Sequence, residues 1–295
     1  MAVQVRPTAF KMFLLYLIPK NWLSRLVGWA VRRRWPFGLH LRIRNAFIRA
    51  YAVNVSEAEK PLDEYPTLGD FFIRRLKPGT RPLTASALVS PVDGMLTQRG
   101  GLETGSLRLT QIKGISYDLQ ALAGAGWDVS PYAGGAFLTF YLAPWNYHRI
   151  HAPAAGQVKA VRHIAGALWP VNRWSVETIP ELFVRNDRIL VEMECPLWPE
   201  EGDGSDGKIL IAMVGATNVG RITLDFCPEL RGNSGTGIRD WNPPAELRLD
   251  KGGDLGCFEM GSTVVVVLDA RWASQLRLKD PDAPVPMRMG LELSD

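Results

Sequence analysis

The strongest constraint on the fold is a set of five short apolar runs that have the length and composition of β-strands. Two of them alternate apolar with polar residues, RILVEMEC (188–195) and RITLDF (221–226). Three are almost wholly apolar, FLTFYL (137–142), KILIAMV (208–214) and TVVVVL (263–268). Turn residues separate the runs, and helical patterns do not alternate regularly with them, which disfavours a doubly wound parallel sheet. The sequence therefore predicts an α+β fold with a strand-rich core.

The N-terminal segment, residues 1–56, differs sharply from the rest of the chain in charge. It contains ten Lys and Arg residues and no Asp or Glu, whereas the whole chain holds 34 basic and 30 acidic residues. The remainder is therefore acidic overall. A basic segment of this kind suits anionic lipid or nucleic acid, but no motif that reads nucleic acid accompanies it.

Two amphipathic helices are predicted within this segment. In the second, LRIRNAFIRAY (41–51), Ile43, Phe47 and Tyr51 share one face. Such helices can simply cover the core, or they can lie on anionic lipid. The basic side, which no acidic residue interrupts, favours the lipid interpretation. The first helix begins at Pro19 and repeats apolar residues at helical spacing: Trp22, Leu23, Leu26, Val27, Ala30 and Val31.

The apolar run MFLLYLI (12–18) predicts neither a membrane span nor a signal peptide. It has seven residues and ends at Pro19, whereas a bilayer span needs roughly 20 apolar residues. No small-residue cleavage site follows it. We therefore expect a chain without a spanning segment.

Two other segments have local signals. A short helix followed by a loop is predicted within residues 65–83, where Thr67 and Asp70 have the spacing of a capping box. The segment GNSGTGIRDWNPP (232–244) begins like a phosphate loop. Its first part, GNSGTG (232–237), lacks the lysine and the strand–helix context of a Walker motif, so we predict a mobile loop there. The whole segment is the most loop-like region of the sequence.

Two of the four histidines, His148 and His151, lie in APWNYHRIHAP (143–153). Residues three apart point to opposite faces of a strand, but Pro144 and Pro153 favour an irregular segment in which both side chains can face one pocket. No third ligand with obvious spacing accompanies them, so no metal site is predicted. The cysteines form no metal knuckle or disulfide framework, since Cys195, Cys227 and Cys257 are far apart in the sequence.

Asp93 and Ser262 are further candidates for chemistry. Asp93 lies in a Pro-x-Asp-Gly turn, where aspartate also serves local turn geometry, and Ser262 precedes the valine run. An aspartate, a histidine and a serine could form a relay in which the aspartate orients the imidazole and the imidazole takes the serine proton. On the residues alone this relay indicates a serine hydrolase.

Several short motifs follow one another in a characteristic order. They include SPVDG (90–94), YHRIHAP (147–153) and MGST (260–263). In kind and order they resemble the Pro-x-Asp-Gly, Tyr-His-Arg-x-His-x-Pro and Leu-Gly-Ser-Thr motifs of phosphatidylserine decarboxylase proenzymes of the longer bacterial and mitochondrial type. The departures are Met260 for leucine, Asn146 for aspartate, Asp187 for glutamate, and the loop at 231–241. Longer segments that also match are QIKGISYDLQALAG (111–124), VNRWSVETIPELFVRND (171–187) and KGGDLGCFEMGST (251–263).

The resemblance implies that the chain cuts itself between Gly261 and Ser262. Ser262 would attack the carbonyl of Gly261, and Asp93, His151 and Ser262 would form the self-cleavage triad. Glycine suits the strained approach of the backbone at this point. The products would be a large β chain and a small α chain, residues 1–261 and 262–295.

The resemblance also implies the chemistry of the mature enzyme. Ser262 would become a covalent pyruvoyl group, the implied cofactor, which would form a Schiff base with the serine headgroup of phosphatidylserine. His148 would face the headgroup and assist decarboxylation to phosphatidylethanolamine and CO2. The enzyme would act in phospholipid biosynthesis.

The implied architecture has two parts, membrane-docking helices over residues 1–56 and a catalytic domain over residues 57–295 with a core akin to a barrel-sandwich hybrid. The implied partner is an anionic phospholipid membrane. The resemblance also leaves a homodimer open. The implied location is peripheral, on the cytoplasmic face of a bacterial inner membrane. Two other functions stay open, a lipid-directed serine hydrolase with Ser262 intact and a non-catalytic β-rich membrane-binding module.

Overall fold

The structure is a computed structural model. It describes residues 17–112, 115–197, 206–217, 221–259, 263–276 and 283–293. Most of the apolar run at 12–18 lies outside the described residues. The proposed cleavage site, Met260, Gly261 and Ser262, also lies outside them.

Short helices accompany a body built mainly of strands. The helices are α1 (Lys20–Val31), α2 (Leu39–Ala50), α3 (Leu68–Phe72), α4 (Leu119–Ala123), α5 (Arg173–Thr178), α6 (Leu182–Arg185) and α7 (Ala270–Ser274). The strands are β1 (Gly94–Gly101), β2 (Arg108–Ile112), β3 (Ile115–Asp118), β4 (Ala136–Tyr141), β5 (Arg149–His151), β6 (Gly156–Ile164), β7 (Arg188–Cys195), β8 (Gly207–Val214), β9 (Ile222–Leu224), β10 (Ile238–Trp241), β11 (Arg248–Leu249), β12 (Asp254–Phe258), β13 (Thr263–Leu268) and β14 (Val285–Met287). The α+β class with a strand-rich core is confirmed, and so is the capping box at the start of α3.

The main sheet has nine strands within the described part of the chain. Its order is β10-β6-β7-β8-β13-β4-β1-β14, and β11 pairs with the start of β6. Every pairing in it is antiparallel. This topology agrees with the prediction that the chain is not a doubly wound parallel fold.

The valine run forms β13, which lies in the middle of the main sheet. β13 pairs with β8 on one side and β4 on the other, so that Thr263 lies opposite both Val214 and Tyr141. Its residues are fully buried from Val264 to Leu268, which explains why both faces of this strand are apolar. The strand directly after residue 262 is therefore anchored in the core.

A smaller sheet has the order β5-β12-β9. It pairs His151 with Asp254 and Arg149 with Cys257 in antiparallel register. Because β12 ends at Phe258 and β13 begins at Thr263, residues 260–262 link the smaller sheet to the main sheet.

The first helix, α1, turns its polar and small side chains toward the body of the protein. Its buried residues are Lys20, Ser24 and Gly28. The Nζ of Lys20 lies 3.6 Å from the centre of the Trp169 ring, and the Asn21 amide donates to the carbonyl of Gly166 at 2.8 Å. Of the apolar residues predicted from the periodicity, Trp22 and Leu26 are exposed, whereas the others are half-buried: Leu23, Val27, Ala30 and Val31. Among the described residues, no helix combines the length and apolarity that crossing a membrane requires.

Large apolar side chains are exposed on α1 and in the turn that follows it. The exposed fractions are 61% for Trp22, 42% for Leu26 and 45% for Trp29. Phe37, in the turn between α1 and α2, is 96% exposed and has a positive φ of 54°, which is unusual for a bulky residue.

The prediction of a loop over residues 232–244 is wrong for its central part. Residues 238–241 form β10, which pairs with the edge of β6 from Ile164 to Val161. The guanidinium of Arg162 holds the strand by hydrogen bonds to both carboxylate oxygens of Asp240 at 2.6 and 2.8 Å. The strand was not predictable from the sequence, because it is short and directly follows the glycine-rich stretch.

Candidate active site

His151 lies at the end of β5 and is held at both ring nitrogens. Its Nδ1 lies 2.8 Å from the carbonyl oxygen of Gly252, which can only accept, so Nδ1 carries the proton. The Nε2 therefore accepts a hydrogen bond, and the Tyr147 hydroxyl lies 3.2 Å from it. Gly252 has a φ of +76°, which glycine adopts without strain. This tautomer leaves Nε2 as the basic atom.

Burial is the main influence on the protonation of His151. It lowers the pKa of the imidazole, while the carboxylate of Asp254 opposes that shift and Asp93 contributes in the same direction as Asp254. The side chain lines a cleft of about 220 Å³ together with Tyr147, Arg81 and Asp254. The neutral imidazole is the form that can accept a proton.

Asp93 is buried in the turn before β1, with a double hydrogen bond to Arg81. The Arg81 Nε and Nη2 lie 2.9 and 2.6 Å from its two oxygens, and the amide of Met289 donates to it at 2.9 Å. Its hydrogen-bond partners among the described residues do not include His151. The two segments are nevertheless joined, because the His151 amide donates to the Pro91 carbonyl at 2.9 Å.

The glycine of the Pro-x-Asp-Gly motif has a separate packing role. A Cβ on Gly94 would lie 2.6 Å from the carbonyl oxygen of Tyr141 on the neighbouring strand. The sequence Asp-Gly is therefore required here by the close approach of β1 and β4 as well as by the turn.

A network of ion pairs that sequence reasoning missed surrounds His151. Asp254 has an oxygen 3.8 Å from the His151 Nδ1 and another contact, at 2.8 Å, with the Arg149 Nε. Asp225 and Arg75 extend the network by further ion pairs. Burial works to raise the pKa of Asp254, but Arg149 and its neighbours outweigh this effect and lower it. Asp254 lies in the segment KGGDLG (251–256), which is the sequence signal that could have identified it.

His148 lies just before β5 in different surroundings from His151. It is fully buried, its Nδ1 donates to the carbonyl of Asn146 at 2.8 Å, and the Phe72 ring lies 4.1 Å from its centre. Its Nε2 has no hydrogen-bond partner among the described residues. Burial lowers the pKa of His148 to about 3, so the imidazole is neutral at pH 7. The two histidines therefore do not share the cleft that His151 lines.

The aspartate-to-asparagine departure before Tyr-His leaves this turn closed. The Asn146 side-chain oxygen accepts from the amide of Ala143 at 2.8 Å. An amide oxygen performs this function as well as a carboxylate does.

The chain that leads to residues 260–262 runs directly beside His148. The Phe258 amide donates to the carbonyl of His148 at 3.0 Å. The Glu259 amide then donates to the carbonyl of Arg221, and its carboxylate forms a salt bridge with Arg32 of α1. The backbone of His148 is thus hydrogen-bonded to Phe258, four residues before Ser262.

Two adjoining cavities share Tyr141, which lies opposite Thr263 at the start of β13. The larger, about 410 Å³, is lined by Thr263, Tyr141, Val171 and Phe183 among others. The smaller, about 310 Å³, shares Tyr141 and Val171, and it is closed by α2 residues and by the Phe72 ring that packs on His148. Both are mainly apolar in lining, as sites for apolar ligands usually are.

The comparisons with known proteins agree with one another. A family model described as phosphatidylserine decarboxylase matches residues 68–293, and a second model, described as PSD, matches residues 10–52. The phosphatidylserine decarboxylase proenzyme of Anaeromyxobacter sp. (strain K) is 41% identical over 276 residues, which cover 90% of this chain and 94% of the relative. That of Myxococcus xanthus is 39% identical, covering 88% and 89%. The mitochondrial proenzyme 1 of Oryza sativa is 34% identical, covering 92% and 73%. The chain therefore belongs to the phosphatidylserine decarboxylase family.

Proposed function

We propose that the chain is the precursor of an enzyme that decarboxylates phosphatidylserine to phosphatidylethanolamine in phospholipid biosynthesis. Membership of the family supports the reaction. The observation that carries the assignment of the site is the route of the chain. Residues 260–262 follow a strand that pairs with β5, the strand of His151, and precede a strand buried in the core.

Maturation begins with an attack of the Ser262 hydroxyl oxygen on the carbonyl carbon of Gly261. The C–N bond between the two residues breaks, the Ser262 nitrogen gains a proton, and an ester remains. His151 is proposed as the base that takes the hydroxyl proton, since its Nε2 is the atom that accepts. Asp93 is proposed to stabilise the imidazolium that forms.

The ester is then opened by elimination. The Cα proton of Ser262 is removed and the bond between its Cβ and the ester oxygen breaks. This step frees the carboxylate of Gly261 and leaves a dehydroalanine. Water hydrolyses the imine tautomer of that residue and ammonia departs, so that the small chain begins with a ketone. The proposed products are residues 1–261 and 262–295.

The residues around this point fit a pyruvoyl group at position 262. The apolar cavity of about 410 Å³ reaches Thr263, and the buried β13 holds the new terminus in place. A pyruvoyl group there would supply the electron sink for loss of CO2. His148 has an unpartnered Nε2 among the described residues, and we propose that it acts on the headgroup, by proton transfer or by steering the carboxylate.

The apolar cavities also suit the lipid part of the substrate. The smaller cavity is lined by Phe47 of α2 and by Tyr51 directly after it, so the N-terminal segment contributes to the wall beside the site. This arrangement supports a path from a membrane surface to the reaction centre.

We propose that residues 1–56 dock the enzyme peripherally on an anionic membrane, at the cytoplasmic face of a bacterial inner membrane. The support is the outward apolar face with Trp22, Leu26 and Trp29, together with the exposed Phe37 in its strained turn. Residues 57–295 would form the catalytic domain.

Intact-mass analysis under denaturing conditions tests the central proposal. We expect two pieces, residues 1–261 with an ordinary carboxylate and residues 262–295 with a blocked N-terminus. Ser262→Ala should give a single full-length chain without decarboxylase activity. An uncut wild-type chain that hydrolyses lipid esters would instead support a serine hydrolase, and an uncut chain without either activity would support a non-catalytic membrane-binding module.

A further inference from the structure

A large basic cleft lies between α1 and the loop that precedes β10. Its volume is about 860 Å³, and its wall includes Trp29, Asn233 and Ser234. None of the groups assigned above to catalysis lines it. Its basic residues are Arg25, Arg32, Arg33, Arg221, Arg231 and Arg239.

The positive charge of this cleft is only partly neutralised by the protein. Of the six arginines, Arg32 alone forms a salt bridge with a described residue, Glu259. One acidic residue among the described ones, Glu229, lines the cleft. Burial and the nearby guanidinium of Arg221 lower the pKa of Arg32, which is the effect expected where like charges are close. Repulsion between these arginines is relieved when an anion binds among them.

The floor of the cleft is built from buried hydrogen bonds. The Arg239 Nη2 donates to the Nδ1 of His163 at 3.0 Å, because a guanidinium cannot accept. The His163 Nε2 must then carry the ring proton, which it donates to Asp187 at 2.9 Å. Asp187 also accepts from the amide of Asn233 at 2.8 Å, so the glycine-rich loop is fixed to the same group.

The guanidinium of Arg239 is thus pre-oriented, with further hydrogen bonds to the carbonyl and hydroxyl oxygens of Ser234 at 3.0 and 2.8 Å. Its Nε is buried and has no hydrogen-bond partner among the described residues. Fixed guanidinium groups bind phosphate strongly, because several charge-assisted hydrogen bonds form without a further loss of side-chain freedom.

We propose that this cleft binds the phosphate of an anionic phospholipid headgroup, at a position separate from the site of decarboxylation. The choice of a lipid over free phosphate rests on the neighbouring surface, where Trp22, Leu26 and Trp29 expose apolar side chains on the helix that carries Arg25 and directly precedes Arg32 and Arg33. The Arg33 guanidinium lies 5.0 Å from the centre of the Trp29 ring, which joins the basic and apolar surfaces. The inference rests on the proposed membrane docking and specifies its ligand.

The test uses a ligand that is not a substrate. Binding of a soluble, short-chain phosphatidylglycerol is measured by calorimetry for the full-length protein, for Arg221→Gln/Arg231→Gln, and for Arg108→Gln/Arg248→Gln. The last variant removes the same charge from exposed arginines that lie outside both the cleft and residues 1–56. We expect the cleft variant to bind about tenfold or more weakly, since it loses two charge-assisted contacts, and the control to bind within about twofold of the parent.

Three outcomes overturn the inference. They are no binding by the parent protein, equal losses in the two variants, and inorganic phosphate that binds as tightly as the lipid, which would make the cleft a free-phosphate site. If thermal unfolding shows that the double variant is misfolded, the single Arg33→Gln variant replaces it and should still weaken lipid binding.

A separate measurement distinguishes failure of this inference from failure of the catalytic proposal. Self-cleavage and decarboxylation of detergent-dispersed phosphatidylserine are followed in the same variants. Normal values together with lost phosphatidylglycerol binding support the cleft, whatever the catalytic assignments prove to be. Loss of activity with phosphatidylglycerol binding intact would contradict a separate site.

Discussion

The imidazole of His151 has two carboxylates near it, and they are held in different ways. Asp254 is nearer to Nδ1, but Arg149 and Arg75 already pair with it. Asp93 is paired with Arg81, on the segment that the His151 amide joins through Pro91. The identity of the acidic partner is therefore a question that variants at the two positions can answer.

Asp93→Asn should slow self-cleavage by about 10²–10⁴-fold, the usual contribution of assisted proton transfer, because the imidazolium would lose its stabilising charge. Asp254→Asn is the matched control and should slow it much less, since the proposed relay does not use that carboxylate. The rate is read from the fraction of uncut chain against time. A slow Asp254→Asn together with a normal Asp93→Asn would transfer the role to Asp254.

The two histidines should fail at different steps. His151→Ala should block cutting, because it removes the proposed base. His148→Ala should still cut but decarboxylate poorly, by about 10²-fold or more, since the headgroup loses a proton-transfer or steering group. A gel and a CO2-release assay on the same samples separate the two steps. The reverse pattern exchanges the roles, and normal cutting and activity in both variants would end the catalytic assignment.

The burial of neutral His148 makes stability depend on pH in a defined direction. Its pKa is lowered to about 3 in the folded protein, so between roughly pH 6.5 and 3 the unfolded chain binds a proton that the folded chain does not. The free energy of unfolding should therefore fall as the pH drops below about 6.5, by up to about 1.4 kcal/mol per pH unit from this residue.

Denaturant unfolding at pH 7 and pH 5 measures this effect. The Ser262→Ala background should be used, because we expect that chain to stay in one piece. In that background the His148→Phe variant should lose less free energy of unfolding between pH 7 and pH 5 than the protein that retains His148. Equal losses would show that the imidazole is accessible to protons.

Secondary structure elements were predictable where a hydrophobic pattern extends over the whole element. The runs at 188–195 and 263–268 became β7 and β13 with unchanged bounds, because an alternating run and a continuous apolar run of strand length are both recognisable in a sequence. The orientation of α1 was not predictable. Periodicity identifies an apolar face but does not say whether protein or another apolar phase covers it.

The site shows the same limit. His148 and His151 were found from one short motif, but their separate surroundings arise from Phe72 and Gly252, which are distant in the chain. The Asp254 network required the pairing of β5 with β12, and no local pattern contains that information.

The outward face of α1 yields a prediction at the scale of one helix. Trp22→Ser/Trp29→Ser should weaken sedimentation with phosphatidylglycerol vesicles at least tenfold, because both side chains are exposed and would lose their contact with lipid. Thermal stability should hardly change. Trp145→Ser, at a residue that is 52% exposed outside these helices, is the control and should leave vesicle binding unchanged. Equal vesicle binding by the double variant and the parent would return α1 to a purely structural role.

For the molecule as a whole, the place of β13 predicts how the cut product behaves. The strand forms a ladder with β8 and with β4, so the small chain should stay bound after cutting. Size-exclusion chromatography in native buffer should give one particle that contains both pieces, and denaturant should separate them. A small chain that dissociates in native buffer would contradict the register of the main sheet.

The same strand decides how long a matured molecule persists. Before the cut, folding is a unimolecular search. Afterwards, unfolding releases two chains whose reunion depends on their concentration, and the bond between residues 261 and 262 is not remade. The lifetime of the enzyme is then set by its rate of unfolding, which depends on the barrier to removing β13 from the sheet, and not by an equilibrium constant. A chain of this design folds once, and whatever slows its first unfolding extends its working life.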